Sequence, residues 1–306
     1  MIIYYYRVAG FLFSVALPVG MDAERLLPSF RSFRVLEHAG NEERLFDFTV
    51  TVADEMPRSE IGELLEETDN DMGHLGLYAT AEGYVVEIIN GGCKHRMAAN
   101  AEFSFLKAWL QGADNQVGKA LSSLLRIAYA QAVLRQDAVS IHAAAVYQDE
   151  KAYLFMGTSG TGKSTHASLW IKHIPGTGLL NDDNPTVRIV DGKAYAYGTP
   201  WSGKTACYKN LSFPIGGMVR LRQASVNSFC LQEGADAFVT LYPGCSVIAK
   251  DESLRNCLYD TLVRLAEMVR VGTMDCLPDK EAALLCHSSL ALSFTNLPTK
   301  HANQFF

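Results

Sequence analysis

Lys151-Ala-Tyr-Leu-Phe-Met-Gly157-Thr158-Ser159-Gly160-Thr161-Gly162-Lys163-Ser164-Thr165-His-Ala-Ser-Leu-Trp170 reads as an apolar strand, a glycine-rich turn and the first turns of a helix. Gly157 to Ser164 fits G-x-x-x-x-G-K-[ST], the phosphate-binding loop. Gly157, Gly160 and Gly162 allow backbone angles that bring successive N–H groups into one concave anion nest. The helix start adds unpaired N–H groups and the positive end of its dipole. Thr158, Ser159 and Thr161 complete the turn, and Thr165 belongs to the first helical turn. Lys163 is expected to reach the β/γ-phosphates, and the Ser164 hydroxyl suits Mg²⁺. The stretch predicts a site for a nucleoside triphosphate, ATP, with Mg²⁺.

A second literal match, Gly198-Thr-Pro-Trp-Ser-Gly203-Lys204-Thr205, serves as an internal control. Pro200 has no N–H to give to a phosphate, and Trp201 is bulky where backbone must approach a ligand. The following Ala206-Cys-Tyr-Lys-Asn does not read as an amphipathic helix. This segment is therefore rejected as a second nucleotide cradle and kept as a candidate active-site loop.

The 306 residues are 48% hydrophobic and 20% charged, with net charge −6, an ordinary globular composition. A mild acidic balance predicts neither a nucleic-acid nor a membrane partner. Seven scattered cysteines without C-x-x-C spacing read as reduced thiols, mostly buried. Val8 to Gly20 could pass for a signal-peptide core, but its aromatic n-region and lack of a small-x-small cleavage site argue for a buried strand. These features predict a cytoplasmic protein.

Residues 1–112 read as a smaller strand-rich N-terminal domain, and 113–306 as a helix followed by the catalytic domain. Phe46, Phe48, Val50 and Val52 alternate with polar residues, as in a half-buried strand. Tyr84 to Ile89 reads as another strand, and the acidic run Glu60 to Asp71 as a solvated surface segment. Asp114 or Asn115 is the expected cap of a helix whose Val117, Leu121, Leu124, Ala128 and Ala132 face a core. Val139 to Tyr147 is an expected strand. Leu179-Leu-Asn181-Asp182-Asp183 ends a short strand on two carboxylates. Pro185 to Val190, Asp191-Gly192 and Lys193 to Tyr197 form a hairpin. Leu254, Leu258, Leu262 and Leu265 mark a helix, and Asp279 to Cys286 begins another. Hairpins flank the glycine turn on both sides, so the sheet must be largely antiparallel or mixed rather than doubly wound.

Over about residues 139–210 the chain resembles the HPr kinase and phosphoenolpyruvate carboxykinase superfamily. Ser140-Ile-His142 is similar to a Leu/Ile-His-Gly segment of HPr kinases. Gly157 to Ser164 is close to the G-x-S-G-T-G-K-[ST] form of carboxykinases, and Asn181-Asp182-Asp183 is similar to the HPr kinase Asp-Asp pair. The resemblance implies an α/β, α+β-like fold, with a mixed sheet carrying the phosphate loop behind the strand-rich N-terminal part. It implies Asp182 as general base and Asp183 as a Mg²⁺ residue with Ser164; the reverse assignment stays open. It places His142 beside the phosphates or the acceptor, with a hydrogen-bonded core histidine as the other reading. Residues 198–204 stand where HPr kinases carry Glu-x-Arg-Gly. There Lys204 is either a clamp on the γ-phosphate or acceptor, or a solvated loop lysine.

The chain lacks the length of carboxykinases and the C-terminal signature with which HPr kinases phosphorolyse phosphoserine. The expected activity is therefore an ATP/Mg²⁺-dependent kinase acting on a hydroxyl, most simply a serine of a protein, peptide or small molecule. A carboxykinase-type reaction and a non-catalytic ATP-binding regulatory module are the alternatives. The remaining histidines, His166 and His173 among them, show no metal-ligand spacing. The sequence leaves a homo-oligomer open.

Overall fold

The computed structural model describes residues 1–36, 42–53, 61–70 and 72–291. The N-terminal strands are β1 (Ile2–Val8), β2 (Phe11–Leu17), β3 (Arg34–Val35), β4 (Asp47–Val52), β5 (Glu63–Asn70), β6 (Gly73–Ala79), β7 (Gly83–Asn90), β8 (Cys93–Asn100) and β9 (Phe105–Leu110), with the short helix α1 (Ala23–Leu26) between β2 and β3. Next come α2 (Asp114–Ala132), β10 (Ala138–Ser140), β11 (Ala143–Gln148), β12 (Lys151–Met156), α3 (Lys163–His173) and β13 (Gly178–Asn181). The chain continues through β14 (Thr186–Val190), β15 (Lys193–Tyr197), β16 (Ser212–Gln223), β17 (Ser228–Gln232), α4 (Gly234–Leu241), α5 (Glu252–Met268), β18 (Val271–Cys276) and α6 (Lys280–Ala291).

Two mixed sheets result. The first runs β3-β1-β2-β4-β9-β8-β7-β6-β5, with parallel pairs at β2–β4 and β4–β9. The second runs β10-β14-β15-β16-β12-β11-β13, with β18 beside β16 and β17 beside β18. The strand entering the glycine turn, β12, lies antiparallel to β11 and parallel to β16. That is the mixed arrangement the flanking hairpins predict. No described helix is long and apolar enough to cross a membrane.

Local chemistry explains most elements. The β14–β15 hairpin turns at Asp191 and Gly192, both at positive φ (+49° and +72°), as an Asp-Gly turn requires. Helix α5 buries Leu254, Leu258, Leu262 and Leu265, and Asp251 caps it by accepting the Leu254 N–H at 2.9 Å. Asp279 likewise accepts the Ala282 N–H ahead of α6. The five apolar positions expected for α2 are all buried.

Several expectations are corrected. Val8 to Gly20 is not one strand: the chain reverses at Ala9 and Gly10 (φ +50° and +83°) and continues as β2. Val52 ends β4 exposed, although Phe46, Phe48 and Val50 are buried. The acidic run is solvated but extended, forming the outermost strand β5; Glu60 and Asp71 fall outside the described residues. Helix α2 begins at Asp114, with Ala113 rather than an acidic residue at its cap position. Gln116 Oε1 accepts the Ala113 N–H at 3.1 Å. All seven cysteines are free, but only Cys207 and Cys286 are fully buried.

Val139 to Tyr147 is also two strands. Pairing with β14 ends at Ser140, and pairing begins with β12 at Ala143 and with β13 at Ala145. At the break, the His142 N–H donates to the Gly244 carbonyl at 2.7 Å and the Ala143 N–H to the Asp183 carbonyl at 3.0 Å. The chain changes partners at the histidine, which sits beside the end of β13.

Aromatic side chains tie the two sheets through α2. Tyr129 of α2 lies 6.3 Å from Phe13 of the first sheet and 5.1 Å from Trp201, between ring centroids, and Phe30 meets Trp201 edge-on at 5.6 Å. Trp201 belongs to the 198–205 loop, so this core also anchors that loop.

Candidate functional site

The glycine turn leaves β12 at Gly157 and enters α3 at Lys163. Gly157, Gly160 and Gly162 all take positive φ (+155°, +80° and +105°). A Cβ at Gly160 or Gly162 would meet nothing within 4 Å, so the turn faces open space and only its backbone angle demands glycine. Within the turn, Thr161 Oγ1 donates to the Thr158 carbonyl at 2.8 Å, and Gln223 of β16 holds the Gly160 carbonyl at 3.1 Å. The first helical bond runs from the His166 N–H to the Gly162 carbonyl, so the N–H groups of Lys163, Ser164 and Thr165 have no intrahelical acceptor. Ser164 and Thr165 are exposed on this first turn.

Lys163 lies back across the turn, its Nζ donating to the carbonyls of Gly157 at 3.1 Å and Thr158 at 3.2 Å. Burial holds its pKa below the ordinary lysine value; the charge of Asp183, and less that of Asp182, act the other way, while Arg220 adds to the lowering. The lysine is thus within electrostatic reach of both aspartates and of Arg220.

Asn181, fully buried, shapes the turn that presents the aspartates. Its Oδ1 accepts the N–H groups of Asp183 (3.0 Å) and Asn184 (2.8 Å). Its amide donates to the Thr199 carbonyl and hydroxyl and to the Trp201 carbonyl at 3.0 Å. This is an Asx turn fastened to the neighbouring loop.

The two carboxylates differ. Asp182 is 5% exposed; its Oδ2 accepts the Thr205 N–H at 3.0 Å, while its Oδ1 is buried without a hydrogen-bond partner. Asp183 Oδ1 meets His142 Nδ1 at 3.1 Å, and its Oδ2 meets Arg126 Nη1 at 3.2 Å. Burial alone would raise the Asp183 pKa. The His142 hydrogen bond and the charges of His142 and Arg126 outweigh it and hold the carboxyl below the usual range.

His142 is 43% exposed at its side chain and bonded to Asp183, which sets aside the core-histidine reading. Lys204 is exposed and makes no hydrogen bond or ion pair among the described residues. Its loop nevertheless closes on Asp182 through the Thr205 N–H and through the Gly203 N–H, which donates to the Asp182 carbonyl at 3.3 Å. At Gly203 a Cβ would stand 2.8 Å from that carbonyl, so the close approach needs glycine. No helix follows residues 198–205, in keeping with their rejection as a second cradle. His166 accepts the Trp170 indole N–H at 3.1 Å; burial takes its pKa down to about 4, so it is a neutral packing residue.

Three residues with site roles were not singled out from the sequence: Asn181 as an anchor, Arg126 and Arg220. Arg220 donates through Nε to the Thr240 carbonyl at 2.7 Å, while its Nη2 is buried without a partner. Burial lowers its pKa. Arg220 lines an open cleft of about 450 Å³ with Gly157 to Thr161 and Gln223. Across Gly160 and Thr161 lies a second cleft of about 430 Å³, walled by Thr165, Leu169, Leu221, Cys276 and Pro278. Nothing in the sequence distinguishes Arg220 from a surface arginine, and Arg126 lies in a helix whose apolar stripe alone is legible.

The arrangement sets N–H donors and two cations on one side and two carboxylates on the other. It can hold a polyanion and take up a proton. Among the described residues no cluster of three or more His, Cys, Asp or Glu side chains could bind a metal unaided. Ser164 and Asp183, whose carboxyl is held below the usual range, fit Mg²⁺ of the kind that keeps water and substrate oxygens as its other ligands.

No family model matches this sequence, and no curated protein matches it. The solved structure of the Hpr(Ser) kinase/phosphatase from Coxiella burnetii is similar over 49% of this chain and 95% of that one, at 11% identity and a TM-score of 0.30. So low a score carries no functional argument, and the reading below rests on the side chains of the site.

Proposed function

We propose that this chain is an ATP/Mg²⁺-dependent phosphotransferase with a hydroxyl-bearing acceptor. The observation that carries the reading is the juxtaposition of a glycine turn and its lysine with Asp182, whose buried Oδ1 has no partner. An unpaired buried carboxylate oxygen is costly, about 1–3 kcal/mol or more, and is explained by a group that arrives with the acceptor.

In this reading the N–H groups of the turn and of Lys163 to Thr165 cradle the phosphates. Lys163 leaves its two carbonyl partners to meet the transferred group, with Arg220 Nη2 as a second cation. The second cleft takes the nucleoside. Mg²⁺, held by Ser164 and Asp183, supplies charge neutralisation when bound. Asp182 Oδ1 accepts the proton of the acceptor hydroxyl as its oxygen bonds to the γ-phosphorus and the bond to the β-phosphate oxygen breaks, releasing ADP. Asp183 stays ionised and does not compete for that proton.

Asp182→Asn tests the assignment. Transfer to a panel of seryl peptides, proteins and free serine should fall by about 10³-fold or more, while ATP affinity changes little. Retained turnover refutes Asp182 as base. Turnover that requires oxaloacetate, not a hydroxyl, would favour the carboxykinase-type alternative.

A further inference from the structure

Between α2 and strands β7 and β8 of the first sheet lies a cavity of about 300 Å³, apart from the glycine-turn clefts. Its walls carry His95, Lys119, Ser122, Ser123 and Arg126, with apolar surface from Ile88, and no acidic side chain among the described residues. His95 is 1% exposed. Its Nδ1 accepts the Gln111 N–H at 3.3 Å, which leaves the hydrogen on Nε2. That N–H has no partner among the described residues, although buried polar groups are ordinarily paired. Burial keeps the imidazole pKa below its ordinary value, so the ring is a neutral donor.

Lys119, Ser122 and Ser123, and Arg126 succeed one another at helical spacing along one face of α2. The two serine hydroxyls make no hydrogen bond among the described residues. Lys119 is exposed and makes neither a hydrogen bond nor an ion pair among them. Arg126 is already engaged, its Nη1 lying 3.2 Å from Asp183 Oδ2. The lining thus offers neutral donors and one cation, Lys119, without a counterion among the described residues. That set matches a single negative charge. A phosphate monoester, with a charge of about −1.5 to −2 at neutral pH, would exceed it. Ile88 gives the body of such a ligand the apolar wall that small-molecule sites provide.

We infer that this cavity binds a small organic monocarboxylate, and that Arg126 couples its occupancy to Asp183. The carboxylate accepts from His95 Nε2 and the serine hydroxyls, with Lys119 as its counter-charge. Because Arg126 both lines the cavity and bonds Asp183, the ligand and Asp183 draw on one guanidinium. Each weakens the other's hold on it, and the coupling is reciprocal. This binding needs no nucleotide, so the inference stands independently of the phosphotransferase reading.

Titration calorimetry on the full chain tests it with butyrate, hexanoate and benzoate, each against its primary amide, and with glycerol phosphate. At least one acid should bind with a Kd below about 1 mM, and about ten-fold or more tightly than its amide and than glycerol phosphate. Lys119→Gln, an exposed substitution, should weaken that acid about ten-fold, and Lys119→Arg should restore it. Asp183→Asn should tighten it about three-fold by releasing Arg126. Equal binding of acid and amide, or tighter binding of glycerol phosphate, overturns the inference. So does the absence of binding by any of the acids, which would leave the cavity to water. An affinity untouched by Lys119→Gln overturns it as well, and one untouched by Asp183→Asn overturns the coupling.

Discussion

Replacing Asn181 by alanine should damage both stability and catalysis, and the size of the effect follows from its partners. The substitution strips the acceptor from two N–H groups, those of Asp183 and Asn184, and the donor from the Thr199 and Trp201 carbonyls. Asn181 and Thr199 are completely buried. A buried N–H left unpaired costs about 1–3 kcal/mol, so the two N–H groups alone place the loss at about 2–6 kcal/mol, with about 3 expected once water enters the space vacated. Because the same bonds fix Asp182 and Asp183, turnover should fall about 100-fold, the scale set by a misplacement of about 1 Å. Asn181→Asp separates the two sides of the network. It keeps an oxygen for the N–H groups but turns a carboxylate towards carbonyls, so it should destabilise at least as much as alanine above its own pKa. Urea unfolding followed by tryptophan fluorescence and steady-state turnover measure both quantities. A loss under about 1 kcal/mol in Asn181→Ala with wild-type turnover would refute the anchoring argument.

Gly162→Ala separates space from strain. An added methyl meets nothing within 4 Å, but φ is +105°, so the variant should lose about 1–3 kcal/mol of stability and bind a fluorescent ATP analogue more weakly; unchanged affinity would show that the turn adapts freely. Trp201→Ala removes a ring that is 5% exposed and should cost about 3–5 kcal/mol, with lost turnover because the loop donating the Thr205 N–H to Asp182 comes loose; full activity would detach that loop from the site. The Asp183 carboxyl is held below the ordinary value of 3.8, so its ionised form stabilises the fold above about pH 4 and that contribution is lost as pH falls through the depressed folded value. Wild type and Asp183→Asn should therefore differ in slope as pH falls below about 4 and become parallel only below the depressed folded value. Parallel curves throughout would mean that His142 and Arg126 do not stabilise the charge.

What the sequence made legible was local. The glycine turn, the Asp191-Gly192 hairpin, the leucine stripe of α5 and the ending of β13 on Asp182 and Asp183 all follow from backbone angles and periodicity over a few residues. The mixed character of the second sheet was also readable, because hairpins on both sides of β12 exclude a doubly wound order. The misses share a cause. Whether Val139 to Tyr147 runs as one strand or breaks at His142 depends on which strand each half pairs with, and its partners, Thr186 to Arg188 of β14 and Gly178 to Asn181 of β13, lie far downstream. Likewise the exposed edge strand β5 has no apolar alternation to betray it, since neither of its faces is deeply buried.

The same limit governs the site. Asn181 looks like part of an acidic motif, yet its work is to bind backbone from residues 199 to 201. Arg126 looks like a polar position on a helix whose apolar face builds the core, yet it ends that helix's polar face against Asp183. Each becomes meaningful only when α2 is laid across both sheets by Phe13, Tyr129 and Trp201. That packing brings the first sheet up to α2, where His95 of β8, Lys119 and Arg126 line one cavity. The electrostatics then divide the labour. Asp183 is compensated by a cation and a histidine and remains an anion, whereas Asp182 keeps one oxygen free within the same turn. Two adjacent residues of identical type thereby acquire different chemistry from their neighbours alone, and the neighbours that distinguish them are His142 and Arg126.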